Sequence, residues 1–254
     1  MHDVDIINDS TPVIVAKKIN EGLAEISGLP IIYHKDFDIN EFIGEELALM
    51  SGVGTVHYFP LVFDKKDKFF TIKNYFDRCE ALRVGSFDFK EPGVMYCDNS
   101  SLFPSDAKRS FELLLSLCDS DEKREKFIDE LLDLYALDIY SGQTDRPGNI
   151  YYEIHTDGSV HVGRMFDYEQ SFDFGDDEYY GTDFHTFESI DDYQEFMVKY
   201  PALKTKLEGY RGVEIDKVIR KMAISRRFDI SGLDMDRYKK FDYETHKKLE
   251  KILK

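Results

Sequence analysis

One polar passage constrains the fold of this chain more than any other. It is Gln143-Thr144-Asp145-Arg146-Pro147-Gly148-Asn149-Ile150, with Met165-Phe166-Asp167-Tyr168 beyond it. Upstream, residues 121–140 place Phe127, Leu131, Leu134, Tyr135 and Leu137 at helical spacing with charges on the opposite face, which predicts a long amphipathic helix. Downstream, the alternating run 150–154, the Asp157-Gly158 turn signal and the returning run 159–163 predict a β-hairpin. A helix that feeds a polar loop into a hairpin brings the residues at the two open ends of that hairpin together. Asp145, Asn149 and Asp167 are therefore expected to meet at one end of a two-stranded ribbon.

Two carboxylates and an amide form a donor set suited to phosphoryl transfer from ATP. That reaction asks little covalent chemistry of the protein. One carboxylate orients or deprotonates the attacking hydroxyl, while an amide oxygen and a second carboxylate hold Mg²⁺ on the phosphates. Asp145 is the candidate for the first role, Asn149 and Asp167 for the second. Asp138, on the preceding helix, is expected to brace the loop or face solvent.

The order of these residues resembles the HipA-like serine/threonine kinases and their phosphatidylinositol-kinase-like relatives, whose loops read roughly Gln/Asn-x-Asp-Arg-His-x-x-Asn. Here Arg146-Pro147-Gly148-Asn149 is one residue shorter and lacks the His. A second stretch carries the same resemblance. Residues 31–35 read as a strand ending in Lys35, and 38–50 as a helix capped by Asp38 or Asn40. HipA-like chains open this helix with Asn-Glu and close it with Gly, here Asn40-Glu41 and Gly52. The resemblance implies that Lys35 holds the α- and β-phosphates and that Glu41 orients it, although Glu45 lies one turn on along the same face. Read alone, Lys35 is an ordinary exposed lysine. A third stretch, Tyr75-Phe76-Asp77-Arg78, looks like the Arg-Phe-Asp-Arg that follows the hinge strand, so backbone groups from Ile72 to Asn74 would meet the adenine edge. Local sequence alone reads 69–75 as a plain hairpin strand after 56–63. Asp173-Phe174-Gly175 spells the metal triplet of eukaryotic protein kinases, yet Asp167 sits immediately after the returning strand, where that ligand belongs. By the same resemblance Arg146 steadies the loop or meets a phosphate.

Elsewhere the chain is less specific. Residues 1–34 offer strand-like runs at 4–7, 13–15 and 29–33 and no Gly-x-Gly-x-x-Gly or Walker loop; Asn8 to Thr11 or Glu21-Gly22 are the candidates to replace one. Residues 79–104 read as a loop-rich connection with a short strand at 94–96. Ser105 is expected to cap a helix through Cys118, and helical patterns fill 191–200, 202–207, 213–222 and 243–253. With 254 residues, 42% of them hydrophobic, the chain can bury a sizeable core. A net charge of −17 disfavours nucleic acid and anionic lipid as direct partners. The three cysteines have no metal-ligand spacing, and their odd count argues against a disulfide framework. The seven histidines form no His-Glu-x-x-His group, which argues against a zinc enzyme, and no Gly-x-Ser-x-Gly elbow is present. The apolar runs are too short to span a bilayer, and the acidic opening from Met1 to Asp5 is unlike a secretory leader. The cytoplasm is the expected compartment, with a secreted effector lacking a cleavable leader as the alternative.

The expected fold class is α+β, a two-lobed protein-kinase-like fold. Residues 1–76 would form a small β-containing N-lobe and 77–254 a mainly helical C-lobe, with ATP and Mg²⁺ in the cleft. The resemblance implies transfer to a protein Ser/Thr hydroxyl, and an antitoxin or regulatory partner. Two other readings stand beside it: a pseudokinase that binds nucleotide or a partner, and a small-molecule or lipid kinase.

Overall fold

The structure, a computed structural model, is described for residues 11–25, 32–63, 83–87, 90–98, 102–103, 106–146, 148–172, 180–181, 184–187 and 189–254. The 4–7 run, the hinge candidates Ile72 and Asn74 with the 75–78 motif, and Asp173 lie outside the described residues.

The N-terminal part is β-rich: β1 (Ile14–Lys18), β2 (Leu23–Glu25), β3 (Ile32–Asp36), α1 (Ile39–Ser51), β4 (Tyr58–Phe63) and β5 (Arg83–Phe87). The strands close into a barrel in the order β1-β2-β3-β5-β4, sealed by a parallel pairing of β1 with β4 (Ile14 with Leu61, Ala16 with Phe63). Ala16, Ala24, Ile32, Leu61 and Phe63 form its small core. Strand alternation sends Ile32 and His34 inward and leaves Tyr33 and Lys35 on the other face. Glu21-Gly22 falls in the β1–β2 turn, where the Asn20 side chain accepts from the amides of Gly22 and Leu23.

Helix α1 starts at the predicted cap, with Asp38 accepting from Asn40 N, and ends at Gly52 with φ of 73°. It is buried on nearly every side. Ile39, Phe42, Ile43, Leu47 and Ala48 join a large core shared with the C-terminal helices. Asn40, Glu41 and Glu45 are buried too, and such groups are tolerated only with partners. Glu45 accepts from His57, from Tyr58 N and from Arg226, so it is not available to Lys35.

In the C-terminal part, β6 (Met95–Cys97), β7 (Ile150–Ile154) and β8 (Val160–Met165) form an antiparallel sheet in that order. The expected two-stranded ribbon thus has a third strand, because the short run in the preceding connection pairs with β7. Helix α2 (Ala107–Leu117) is capped by Asp106, whose carboxylate accepts from Arg109 N at 2.9 Å, one residue beyond the predicted Ser105. Helix α3 (Asp121–Ser141) runs from the Ser120 cap to Gly142 at φ 65°. The β7–β8 turn spans 155–159 and is wider than a bare Asp-Gly turn, closed by His155 N donating to Ser159 O. A small hairpin, β9 (Tyr180–Gly181) with β10 (Thr186–Phe187), precedes α4 (Ile190–Lys199), α5 (Pro201–Gly209), α6 (Ile215–Arg226) and α7 (Met235–Ile252). The last helix begins well before residue 243 because Asp234 caps it. Among the described residues, no helix is long and apolar enough to cross a membrane.

Candidate active site

The outward face of β3 delivers Lys35 to three carboxylates. Its ammonium pairs with Glu41, with Asp167 Oδ1 at 2.6 Å and with Glu169 Oε2 at 3.2 Å. Burial works against the charged amine, but Glu41 and Asp167 outweigh it and hold the Lys35 pKa above its ordinary value. Glu41 is sealed from solvent, and burial pushes its carboxyl upward against the pull of Lys35 and of Tyr168 N, which donates to Oε2 at 3.0 Å. The geometry is that of an ionised pair, with two donors aimed at one carboxylate.

Asp167 leaves β8 with φ of 62°, a left-handed backbone uncommon outside glycine. Such strain, on the order of 1–3 kcal/mol, persists where surroundings over-determine it. Here they do. The Asp167 amide donates to Tyr58 Oη at 2.8 Å, and its carbonyl accepts from Gln143 Nε2 at 2.8 Å. The next residue is held as well: Tyr168 Oη donates to Thr55 Oγ1, and its ring rests against α1 where Gly44 has no side chain.

Gln143 also ties this turn to the polar loop, since its Oε1 accepts from Asp145 N at 3.0 Å. The shortened loop then closes in a tight turn, with Gly148 at φ 86° and Asn149 N donating to Arg146 O at 2.9 Å. That turn returns Asn149 to Asp145, whose carbonyl accepts from Asn149 Nδ2 at 2.7 Å. Phe166 N donates to Asn149 O, joining the two ends of the β7–β8 pair. Asp145, Asn149 and Asp167 thus come together at one end of the sheet.

Arg146 points the other way. Its guanidinium is sealed, donating to both oxygens of Asp138 at 2.9–3.1 Å and to the carbonyls of Asn149 and Phe166. Burial raises the Asp138 carboxyl while Arg146 opposes it; a carboxyl that only accepts, from a fork of N–H donors, is ionised. Of the two expectations for Arg146, steadying the loop fits this position. A phosphate contact does not, because no face of the guanidinium reaches solvent.

A cleft of about 660 Å³, its open mouth included, is lined by Tyr33, Tyr58, Val84 and Ser86 of the barrel, by Val56, by Lys90, by Tyr151 of β7 and by Phe166 just past β8. Lys35 and Asp167 line it too. Apolar walls with a few convergent charges suit a ligand that is flat at one end and anionic at the other. Among the described residues, no three His, Cys, Asp or Glu side chains form a ready-made metal cluster. The oxygen donors at hand, Asp167 and the Asn149 amide, are of the hard type that Mg²⁺ takes together with substrate phosphates, so the residues fit that ion.

Two contributors carry no signal in the sequence: Tyr58 and Glu169. Each acts through one hydrogen bond or ion pair to a residue distant in the chain or held by a turn. No periodicity or spacing marks them. Gln143 and Asn40 stand in the sequence motifs, and the structure adds what they bond: Gln143 joins Asp145 N to the Asp167 carbonyl, and Asn40 Nδ2 donates to the carbonyls of Glu169 and Ser171.

No protein-family model matches the chain, and no curated protein matches it in sequence. Solved structures do match. The proinflammatory kinase CtkA of Helicobacter pylori superposes with a TM-score of 0.54 at 12% identity, over 95% of this chain and 97% of that one. HipA of Shewanella oneidensis MR-1, solved with HipB and its operator DNA, gives a TM-score of 0.53 at 16% identity over 87% of this chain. The match spans only 57% of the HipA chain. Identities this low speak to fold alone, and the chain shares its fold with these two structures, HipA and the kinase CtkA.

Proposed function

We propose that the chain is a two-lobed kinase that transfers the γ-phosphoryl group of Mg-ATP to a protein Ser/Thr hydroxyl. The observation that carries the reading is Lys35, held by Glu41 from α1 and by Asp167 from the turn after β8. One ammonium thereby marks where phosphates meet a metal-binding carboxylate. Lys35 binds the α- and β-phosphates, and Glu41 keeps it extended. Asn149 and Asp167 hold Mg²⁺, which when bound neutralises charge on the phosphates. Asp145, exposed beside them, orients or deprotonates the acceptor hydroxyl. Arg146 and Asp138 fix the loop from behind. The β1–β2 turn with Glu21-Gly22 takes the place of a Gly-rich loop.

The protein acceptor follows the resemblance to HipA-like kinases, as does a regulatory protein partner of antitoxin type. Incubation with labelled ATP, Mg²⁺ and a protein mixture tests the reading. Label on protein that is lost in Asp145→Ala supports it; label only on metabolites or lipids redirects it to the small-molecule class. The shortened loop favours one other reading, a pseudokinase. Thermal stabilisation by Mg-ATP without labelled product of any kind selects that one.

A further inference from the structure

Lys35 has more anions than it needs. Glu41, sealed and held by Tyr168 N, already matches its charge. Asp167 has its own place in the metal reading. Glu169 has none, yet its carboxylate reaches the same ammonium at 3.2 Å. Nor is its backbone loose. The buried Asn40 amide donates to the carbonyls of Glu169 and Ser171 at 3.1 and 3.0 Å and accepts from Tyr238 Oη at 2.9 Å. On the other side, Tyr168 is fixed to Glu41 and Thr55. The turn is thus braced from both ends, with Asp167 and Glu169 presented to one point and the Tyr168 side chain turned into the core.

We propose that Glu169 makes this site selective for metal-complexed polyphosphate over the free anion, a deepening that rests on the phosphoryl-transfer reading above. A bare triphosphate arriving at Lys35 must displace Asp167 and Glu169 from the ammonium. Both carboxylates are then left facing its own negative charge. When a divalent cation arrives with the nucleotide, the same two carboxylates acquire a cationic partner and Lys35 is released to the phosphates. Glu169 therefore opposes free nucleotide and favours its metal complex, acting on binding rather than on the transfer step. With its side chain 60% exposed, Glu169 can be neutralised without opening a cavity.

The test is calorimetric binding of a non-hydrolysable ATP analogue to the full chain and to Glu169→Gln, in EDTA and in excess Mg²⁺. The quantity read is the ratio of the metal-free Kd to the Mg²⁺ Kd. Glu169→Gln should narrow that ratio by about tenfold, roughly the effect of removing one partly screened charge, with tighter binding of the free analogue. Titration of Mn²⁺ into the analogue complex, followed by electron paramagnetic resonance, should show weaker ion binding in the variant. An unchanged ratio, or two Kd values that move together, overturns the role of Glu169 while leaving the kinase reading intact. If the unmodified protein binds no analogue even with Mg²⁺, the kinase reading fails and this inference fails with it.

Discussion

Two cations flank Tyr168, and they have been put to opposite uses. Arg146 is sealed, with its fork spent on Asp138 and two backbone carbonyls. Lys35 is partly exposed, and three carboxylates share its ammonium. Both pay for desolvation, but only the first has closed its hydrogen-bond account. A saturated ion pair is a fixed strut whose value lies in geometry more than in stability. A cation shared among competing anions at the edge of a cleft can exchange them for a ligand. The same attraction gives a brace in one place and a working group in the other, and solvent access decides which.

The largest effects should come from the exposed side. Asp145→Ala is expected to cut turnover by about 10²–10⁴-fold, the usual range for a positioned acid or base, while Mg-ATP still raises the melting temperature. Asp167→Ala should abolish that Mg²⁺-dependent rise. An Asp145→Ala enzyme with unaltered turnover breaks the assignment of chemistry to this side.

The two cations can then be compared directly by substitution with Met. Arg146→Met strands the Asp138 carboxylate in the interior and should cost about 3–5 kcal/mol, read from urea unfolding. Arg146→Met with Asp138→Leu should recover much of that loss, since neither charge then remains unpaired. Lys35→Met should cost less, on the order of 1–3 kcal/mol, because two of the three carboxylates it leaves behind, Asp167 and Glu169, reach solvent. Its nucleotide affinity should nevertheless collapse. Equal stability losses for the two single variants would erase the distinction between brace and working group.

What could be read in advance follows the same division between local and distant causes. The meeting of Asp145, Asn149 and Asp167 could be expected because they stand at a helix end and at the two open ends of a hairpin, whereas Lys35 and Glu41 were singled out only by the resemblance, since a lysine at a strand end is ordinary when read alone. Gly148 showed how a loop one residue short can still return Asn149 to Asp145. The barrel closure was not legible, since the parallel pairing of β1 with β4 leaves no mark on either strand. For Arg146 the sequence left two roles open, steadying the loop or meeting a phosphate, for a related reason. Nothing local to an Arg beside an Asp reveals that the guanidinium turns inward to a helix residue, and for Asp138 bracing the loop and facing solvent were equally open. Asp106 displaced Ser105 as a cap because neighbouring residues of similar capping strength are told apart only by backbone geometry.

Tyr168 sits between the two cations, its amide on Glu41 and its ring 5.5 Å from the Arg146 guanidinium carbon. Gly44 allows that position, for a Cβ there would come within 2.6 Å of Tyr168 Cβ. Gly44→Ala should therefore destabilise the protein by about 1–3 kcal/mol through overpacking, despite the better helix propensity of alanine. Because the displaced residue links Glu41 to the Asp167 turn, nucleotide affinity should fall as well. A neutral or stabilising Gly44→Ala would mean that the two sites are not coupled through Tyr168.

The smallest effect concerns the strand that carries Lys35. His34, its neighbour, faces the barrel interior, where Nε2 donates to Asn20 O at 3.1 Å. Burial lowers its pKa below the ordinary 6.5, the Asn20 hydrogen bond opposes this, and the nearby Arg83 charge adds to the lowering. The folded protein thus binds this proton less readily than the unfolded chain. Its contribution to stability is complete above the unfolded value of 6.5 and is lost as pH falls toward the lower folded value. Melting temperatures taken between about pH 7.5 and pH 5.5 should decline more steeply for the unmodified protein than for His34→Gln, by a few degrees at most. His185, also held low by burial, supplies a residual slope in both. Matching slopes would show that the barrel does not open when this histidine protonates, and that Lys35 rests on a strand steadier than its small core suggests.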